Sequence, residues 1–263
     1  MAYAVHDSVS IRYAVAGSGP AVVFVGDIGL GAWQFAWQHG AVAGPYSAIT
    51  PEPRGIGRSD APTGPYTIND LTGDVTAVLS DAGIRSAHLV GYGLGGLVAM
   101  ATAMDSTRVR SLALIGTPPC GDAFETDQLW ADPADRTAVE AATTAILSDA
   151  FRRDHPDDVE RIVEWRTAED ASPDTVAAHR AALADVDLSD RFHELTTPTL
   201  VVHGTGDTIC PPDQGQRLAD GLPRGTFRPM EDVGHFAGIE ASGALNDALL
   251  GWLVDHADRD VDA

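Results

Sequence analysis

The feature that most constrains this chain is the alternation, through its first half, of short β-branched runs, glycine-rich turns and helical patterns. Ala21-Val22-Val23-Phe24-Val25 is apolar at every position. A strand of that kind must be covered on both faces, and the helices that connect parallel strands supply the cover. Residues 10–14 alternate like an early edge strand, and residues 46–50, 88–90 and 109–115 continue the series. Between them the periodicity predicts a helix over 70–82, capped by Asn69 and stopped by Gly83, with Leu71, Val75, Val78 and Leu79 on one face. A second helix, over 94–103, is built from small residues that suit close packing on a sheet. The expectation is an α/β fold with a mostly parallel sheet.

The style changes after Pro118-Pro119. Residues 122–190 are rich in Ala, Asp, Glu and Arg, carry Phe124, Trp130, Phe151, Ile162 and Trp165 at helical spacings, and contain no convincing strand. Alternation resumes at 199–203, followed by a helix around 213–219, a strand near 226–229 and a closing amphipathic helix over 241–256. Residues 1–119 and 191–263 therefore read as one core domain, and 120–190 as a helical cap inserted into it. A chain of 263 residues is long enough to bury a sizeable core without disulfide or metal staples.

Charge narrows the partners. With 38 acidic against 17 basic residues the formal net charge is −21, which repels a nucleic-acid backbone. All the basic residues are Arg and most of the acids are Asp. That bias fits a salt-accumulating halophile, whose acidic proteome stays hydrated, or simply GC-rich coding. No run approaches the roughly 20 apolar residues of a membrane span, and the start of the chain lacks a signal-peptide plan, so a cytoplasmic protein with a small-molecule substrate or ligand is expected. Self-association into a homo-oligomer stays open. Cys120 and Cys210 have neither metal-ligand nor disulfide-scaffold spacing, and neither a metal nor an organic cofactor is implied.

Gly91-Tyr92-Gly93-Leu94-Gly95-Gly96 follows a strand and opens a helix. Read as G-x-G-x-x-G it matches a dinucleotide fingerprint, but the unit lies late in the chain and the next strand ends at Ile115-Gly116, not at a ribose-binding carboxylate. The flanking motifs favour another reading. Arg54-Gly55-Ile56-Gly57-Arg58-Ser59, the Gly91–Gly96 turn, His203-Gly204-Thr205-Gly206-Asp207 and Gly234-His235-Phe236 stand in the order nucleophile, acid, base, and in this the chain resembles the α/β-hydrolase family. The resemblance covers nearly all the chain except the insertion. It implies a catalytic acid at Asp207, a base at His235, and an oxyanion hole formed by the backbone N–H groups of Ile28 and Leu94.

Two positions depart from the family pattern. The elbow position that carries Ser, Cys or Asp is Gly93, which adopts a positive φ without cost but supplies no nucleophile. The usual His-Gly after the strand ending at Val25 is Gly26-Asp27, and an ionised Asp27 would oppose a developing oxyanion. Asp27, Trp33, Tyr92 and Phe236 are the candidates for substrate contact, although aromatic residues after such a turn are commonly core. Arg54 is expected to brace its own loop or bind an anion, and Asp232 to be a solvated charge.

These residues leave two classes of function. One is a hydrolase of a small ester, lactone or β-diketone that uses His235 and Asp207 for general-base chemistry without a serine. The other is a catalytically silent protein that keeps the pocket for binding, or a serine hydrolase whose nucleophile has been replaced by Gly93.

Overall fold

The computed structural model describes residues 2–257. Its strands are β1 (Ala2–His6), β2 (Val9–Ala16), β3 (Ala21–Val25), β4 (Ser47–Pro51), β5 (Ala87–Tyr92), β6 (Val109–Ile115), β7 (Thr199–Gly204) and β8 (Gly225–Met230). The helices are α1 (Ala36–Val42), α2 (Ile68–Asp81), α3 (Leu94–Asp105), α4 (Arg136–Ile146), α5 (Asp149–Asp154), α6 (Pro156–Glu169), α7 (Pro173–Ala184), α8 (Pro212–Gly221), α9 (Ala237–Glu240) and α10 (Ser242–Asp255). One sheet of eight strands runs β1-β2-β4-β3-β5-β6-β7-β8, antiparallel from β1 to β4 and parallel from β4 to β8.

The expected α/β architecture is present, with two local corrections. The strand expected at the edge, β2, is interior, because residues 2–6 pair against it from Ala2–Tyr13 to His6–Val9 and take the edge themselves. That segment alternates only weakly, with Ala4 its one fully buried side chain and Tyr3 and Val5 exposed, so it carries little strand signal. The cap of α2 is Thr67, not Asn69. Thr67 accepts from the Asp70 N–H while the Asp70 carboxylate accepts from the Thr67 N–H, a capping box that satisfies two of the orphan donors at the helix start.

The strands β3, β5, β6 and β7 are buried along almost their whole length, as unbroken apolar runs require. Helix α3 can lie close to the sheet because two residues of its first turn, Gly95 and Gly96, have no side chain. A Cβ on Gly95 would stand 2.1 Å from the Val25 carbonyl oxygen, and one on Gly96 would stand 2.0 Å from Thr117 Oγ1. Residues 121–194 form short helices, with α4 packed on α6 and α7 against the chain leaving β6. Among the described residues, no helix is long and apolar enough to cross a membrane.

Candidate active site

Four chain segments converge where β3, β5, β7 and β8 end. The turn after β5 passes through Gly93 at φ 49° and ψ −115°, a conformation that an L side chain rarely adopts. The turn after β3 carries Asp27, the turn after β7 carries Asp207, and the loop after β8 carries His235. All three side chains are buried.

The Asp207 carboxylate is fixed before it meets the histidine. Its Oδ1 accepts from the N–H groups of Ile209 at 2.9 Å and Cys210 at 3.0 Å, which leaves Oδ2 for His235 Nδ1 at 2.8 Å. The His235 loop is held by two groups that the sequence did not single out for that task. Tyr92 donates its hydroxyl to the His235 carbonyl oxygen at 2.8 Å, and Glu240 accepts from the Gly234 N–H and from the N–H of Ser148, the cap of α5.

The second nitrogen of His235 faces a carboxylate as well. Nε2 lies 3.2 Å from Asp27 Oδ2, while Asp27 Oδ1 accepts from the N–H groups of Ile28 at 2.7 Å and Leu94 at 2.8 Å. Those two N–H groups are the pair that the resemblance assigns to an oxyanion hole, and a carboxylate oxygen of the chain itself occupies them. Asp27 also stands where an elbow side chain would be. A Cβ built on Gly93 would lie 2.1 Å from Asp27 Oδ1 and 2.3 Å from its Cγ. The register accounts for the meeting: Val25 of β3 pairs with Gly91 of β5, so the second residue beyond each, Asp27 and Gly93, fall side by side.

With an acceptor on each side, both imidazole nitrogens must carry hydrogen for both contacts to be hydrogen bonds. Burial pulls the pKa of His235 down, but the charges and hydrogen bonds of Asp207 and Asp27 outweigh it and lift the pKa to about 10. The resting site is therefore an imidazolium between two carboxylates. The histidine expected to act as a base is protonated at neutral pH, held so by a residue whose position in space the sequence did not disclose.

Side chains at the end of α6 and on α7 fix the turn that carries Asp27. Asp170 Oδ1 accepts from the Gly31 N–H at 3.0 Å and the Trp33 indole N–H at 2.7 Å, and its Oδ2 accepts from Arg166 Nε at 3.0 Å. His179 of α7 accepts from the Gly29 N–H on Nδ1 and donates from Nε2 to the Arg54 carbonyl oxygen. That pattern needs a neutral ring, and burial holds the His179 pKa down at about 4. Gln34 accepts from the Asp27 N–H and donates to the Gly31 carbonyl oxygen, closing the turn on itself.

The remaining candidates divide. Trp33, Phe236 and Tyr92 form one aromatic group around His235, with Trp33–Phe236 and Tyr92–Phe236 ring centroids both 5.5 Å apart, and all three are buried. Phe124, from the chain between β6 and α4, lies with its ring centroid 5.7 Å from that of His235. Arg54 braces structure through side chains and not only through carbonyls: Nε and one terminal nitrogen make a bidentate pair with Asp74, both bonds 2.7 Å. Asp232 is exposed, at a positive φ of 57°. Cys210 is buried, which pushes its thiol pKa well up, and Cys120 is half-buried.

A family model described as alpha/beta hydrolase fold matches residues 45–242. The chain is 31% identical over 255 residues to a putative carbamate hydrolase RutD of Variovorax paradoxus, covering 92% of this chain and 96% of that protein. It is 26% identical over 250 residues to 3-oxoadipate enol-lactonase 2 of Acinetobacter baylyi, covering 92% of each. The solved enol-lactonase of Burkholderia xenovorans LB400 superposes with a TM-score of 0.83 at 24% identity, covering 96% of this chain and all of that one, a likeness of fold.

Proposed function

The chain belongs to the α/β-hydrolase fold family, and from that premise we propose that it hydrolyses a small carbonyl compound, an ester, lactone, carbamate or β-diketone, with His235 and Asp207 moving the protons and no serine nucleophile. The observation that carries this reading is the buried His235–Asp207 pair, held at 2.8 Å through Oδ2 while the N–H groups of Ile209 and Cys210 hold Oδ1. Residues 120–190 act as the cap over this site, and the names of the relatives supply the substrate class.

The position of Asp27 dictates the order of events. A substrate carbonyl oxygen reaches the N–H groups of Ile28 and Leu94 only by displacing Asp27 Oδ1. As Asp27 is displaced its Oδ2 takes the Nε2 proton and leaves as a neutral carboxylic acid, so the ring that stays on Asp207 is neutral and able to take a proton from an attacking water. The hole then stabilises the oxyanion of the tetrahedral intermediate. Without a covalent acyl-enzyme, water attacks directly.

The test is turnover of a panel of short acyl esters, lactones and carbamates, in molar salt, by the parent chain beside His235→Ala and Asp207→Asn. The parent is expected to turn over at least one class, with losses of about 10²- to 10⁴-fold in either variant. A parent inert toward the whole panel would sink the reading and favour a ligand-binding protein of this fold, which the filled oxyanion hole also supports.

A further inference from the structure

We propose that Asp27 is a gate with two positions: charged, it fills the oxyanion hole, and once neutral it retracts into a small apolar cavity between α2, α3 and the sheet. The cavity has a volume of about 40 Å³, and Phe24 of β3, Val75 of α2 and Val98 of α3 form part of its wall. Asp27 lines it while His235 and Gly93 do not, so it lies on the side of the carboxylate away from the imidazole. At roughly 10–15 Å³ for each water-sized guest, it has room for the three heavy atoms of a carboxyl group. Voids of this size are few in a close-packed interior, and this one adjoins the side chain that must move before a ligand oxygen can enter the hole.

Charge decides which position is taken. An ionised carboxylate is satisfied by the N–H groups of Ile28 and Leu94 and by the imidazolium, and an apolar cavity would penalise it heavily. A neutral acid is not attracted to the imidazole in the same way, and it has one O–H to place. Besides Asp27, two polar side chains line the cavity, His179 and Asp74. Both nitrogens of His179 are engaged, by the Gly29 N–H and the Arg54 carbonyl oxygen. Asp74 has capacity left. Its Oδ1 meets Arg54 Nη2 and His6 Nδ1, but among the described residues its Oδ2 takes one hydrogen bond, from Arg54 Nε at 2.7 Å. A carboxylate oxygen has two acceptor sites, so Oδ2 of Asp74 can receive the O–H of the retracted acid.

The gate links the arrival of a ligand to the place of one proton. A carbonyl oxygen that takes the two N–H groups evicts Oδ1, the Nε2 proton moves to Oδ2, and the neutral acid turns into the cavity. When the product leaves, the acid returns, gives its proton back to Nε2 and fills the hole again as a carboxylate. The proton stays within the pair throughout, and solvent supplies none. This deepens the carbonyl hydrolysis proposed above and rests on it for turnover, but the two positions of the side chain can be read without turnover.

The experiment pairs a neutral stand-in with a smaller cavity. Asp27→Asn removes the charge at nearly constant size, and its crystal structure is expected to show the substituted side chain in the cavity with its amide on Asp74. Adding Val98→Ile, which fills part of the cavity, is expected to return that side chain to the Ile28 and Leu94 N–H groups. Val98→Ile alone fills a void, so it is expected to melt no lower than the parent. Its kcat/KM on the panel ester that the parent turns over fastest is nevertheless expected to fall about tenfold or more, because the retracted acid is crowded. Val98→Ala enlarges the cavity and is expected to show the reverse, a lower melting temperature with the parent's kcat/KM. The Asp27→Asn side chain found on the two N–H groups with the cavity empty would overturn the gate, and so would unchanged turnover in Val98→Ile. A parent inert toward every ester would remove the hydrolysis reading and leave the Asp27→Asn structure to decide the gate.

Discussion

At the scale of single residues, Asp27 and Gly93 behave as one unit. Restoring a serine at the elbow is the intuitive repair, yet Gly93→Ser puts its Cβ into the Asp27 carboxylate and an L side chain into a glycine conformation. Strain of that kind costs on the order of 1–3 kcal/mol before the clash is counted. Gly93→Ser alone is therefore expected to lose stability in chemical denaturation and gain no ester hydrolysis, whereas Asp27→Gly with Gly93→Ser is expected to gain it. Ester hydrolysis by the single variant equal to that of the double would show that the two positions are independent. His235 gives a second expectation at this scale. Its folded pKa of about 10 lies above the ordinary 6.5, so its contribution to stability is complete below pH 6.5 and is lost as pH rises through about 10. Asp27→Asn removes one of the two charges responsible, and the imidazole titration followed by NMR is expected to move down.

At the scale of elements, α6 and α7 are tied to the turn after β3 by buried polar groups. Arg166 and Asp170 are both fully buried, and burial lowers the pKa of Arg166 and raises that of Asp170 despite their pairing. The pair is thus a registry device between α6 and the turn at Gly31 and Trp33 more than a source of net stability. Asp170→Ala leaves the Arg166 guanidinium uncompensated and should cost about 3–5 kcal/mol in urea unfolding; a loss below 1 kcal/mol would mean that water or another acceptor takes over. Helix α7 adds an acid limit. His179 is buried neutral with a pKa of about 4, below its unfolded value of 6.5, so its contribution is present above pH 6.5 and disappears as pH falls through about 4. His179→Gln keeps a hydrogen-bonding side chain without a titrating ring, and its stability profile between those values is expected to be flatter than the parent's.

At the scale of the whole molecule, a net charge of −21 on one folded chain means self-repulsion that salt screens. The melting temperature is expected to rise steadily from millimolar to molar salt, and a melting temperature that does not respond would mean that the carboxylates are spaced too widely to interact. Much of this molecule was legible without coordinates. Unbroken apolar runs dictate buried parallel strands, small residues dictate the close approach of α3, and the spacing of Asp207 and His235 behind their strands sets the two side chains at the same sheet edge. Those are local properties, written in consecutive residues. The edge strand β1 and the Thr67 cap were missed because one depends on a partner strand and the other on which of several eligible side chains reaches back to the backbone. The decisive fact about the site was decided by tertiary structure alone. Whether Asp27 opposes an oxyanion, contacts a substrate or fills the hole depends on the parallel register that aligns Val25 with Gly91, and on the side-chain space that Gly93 leaves open beside it. Strand order and register come from the packing of the entire sheet, so no single stretch of sequence contains them.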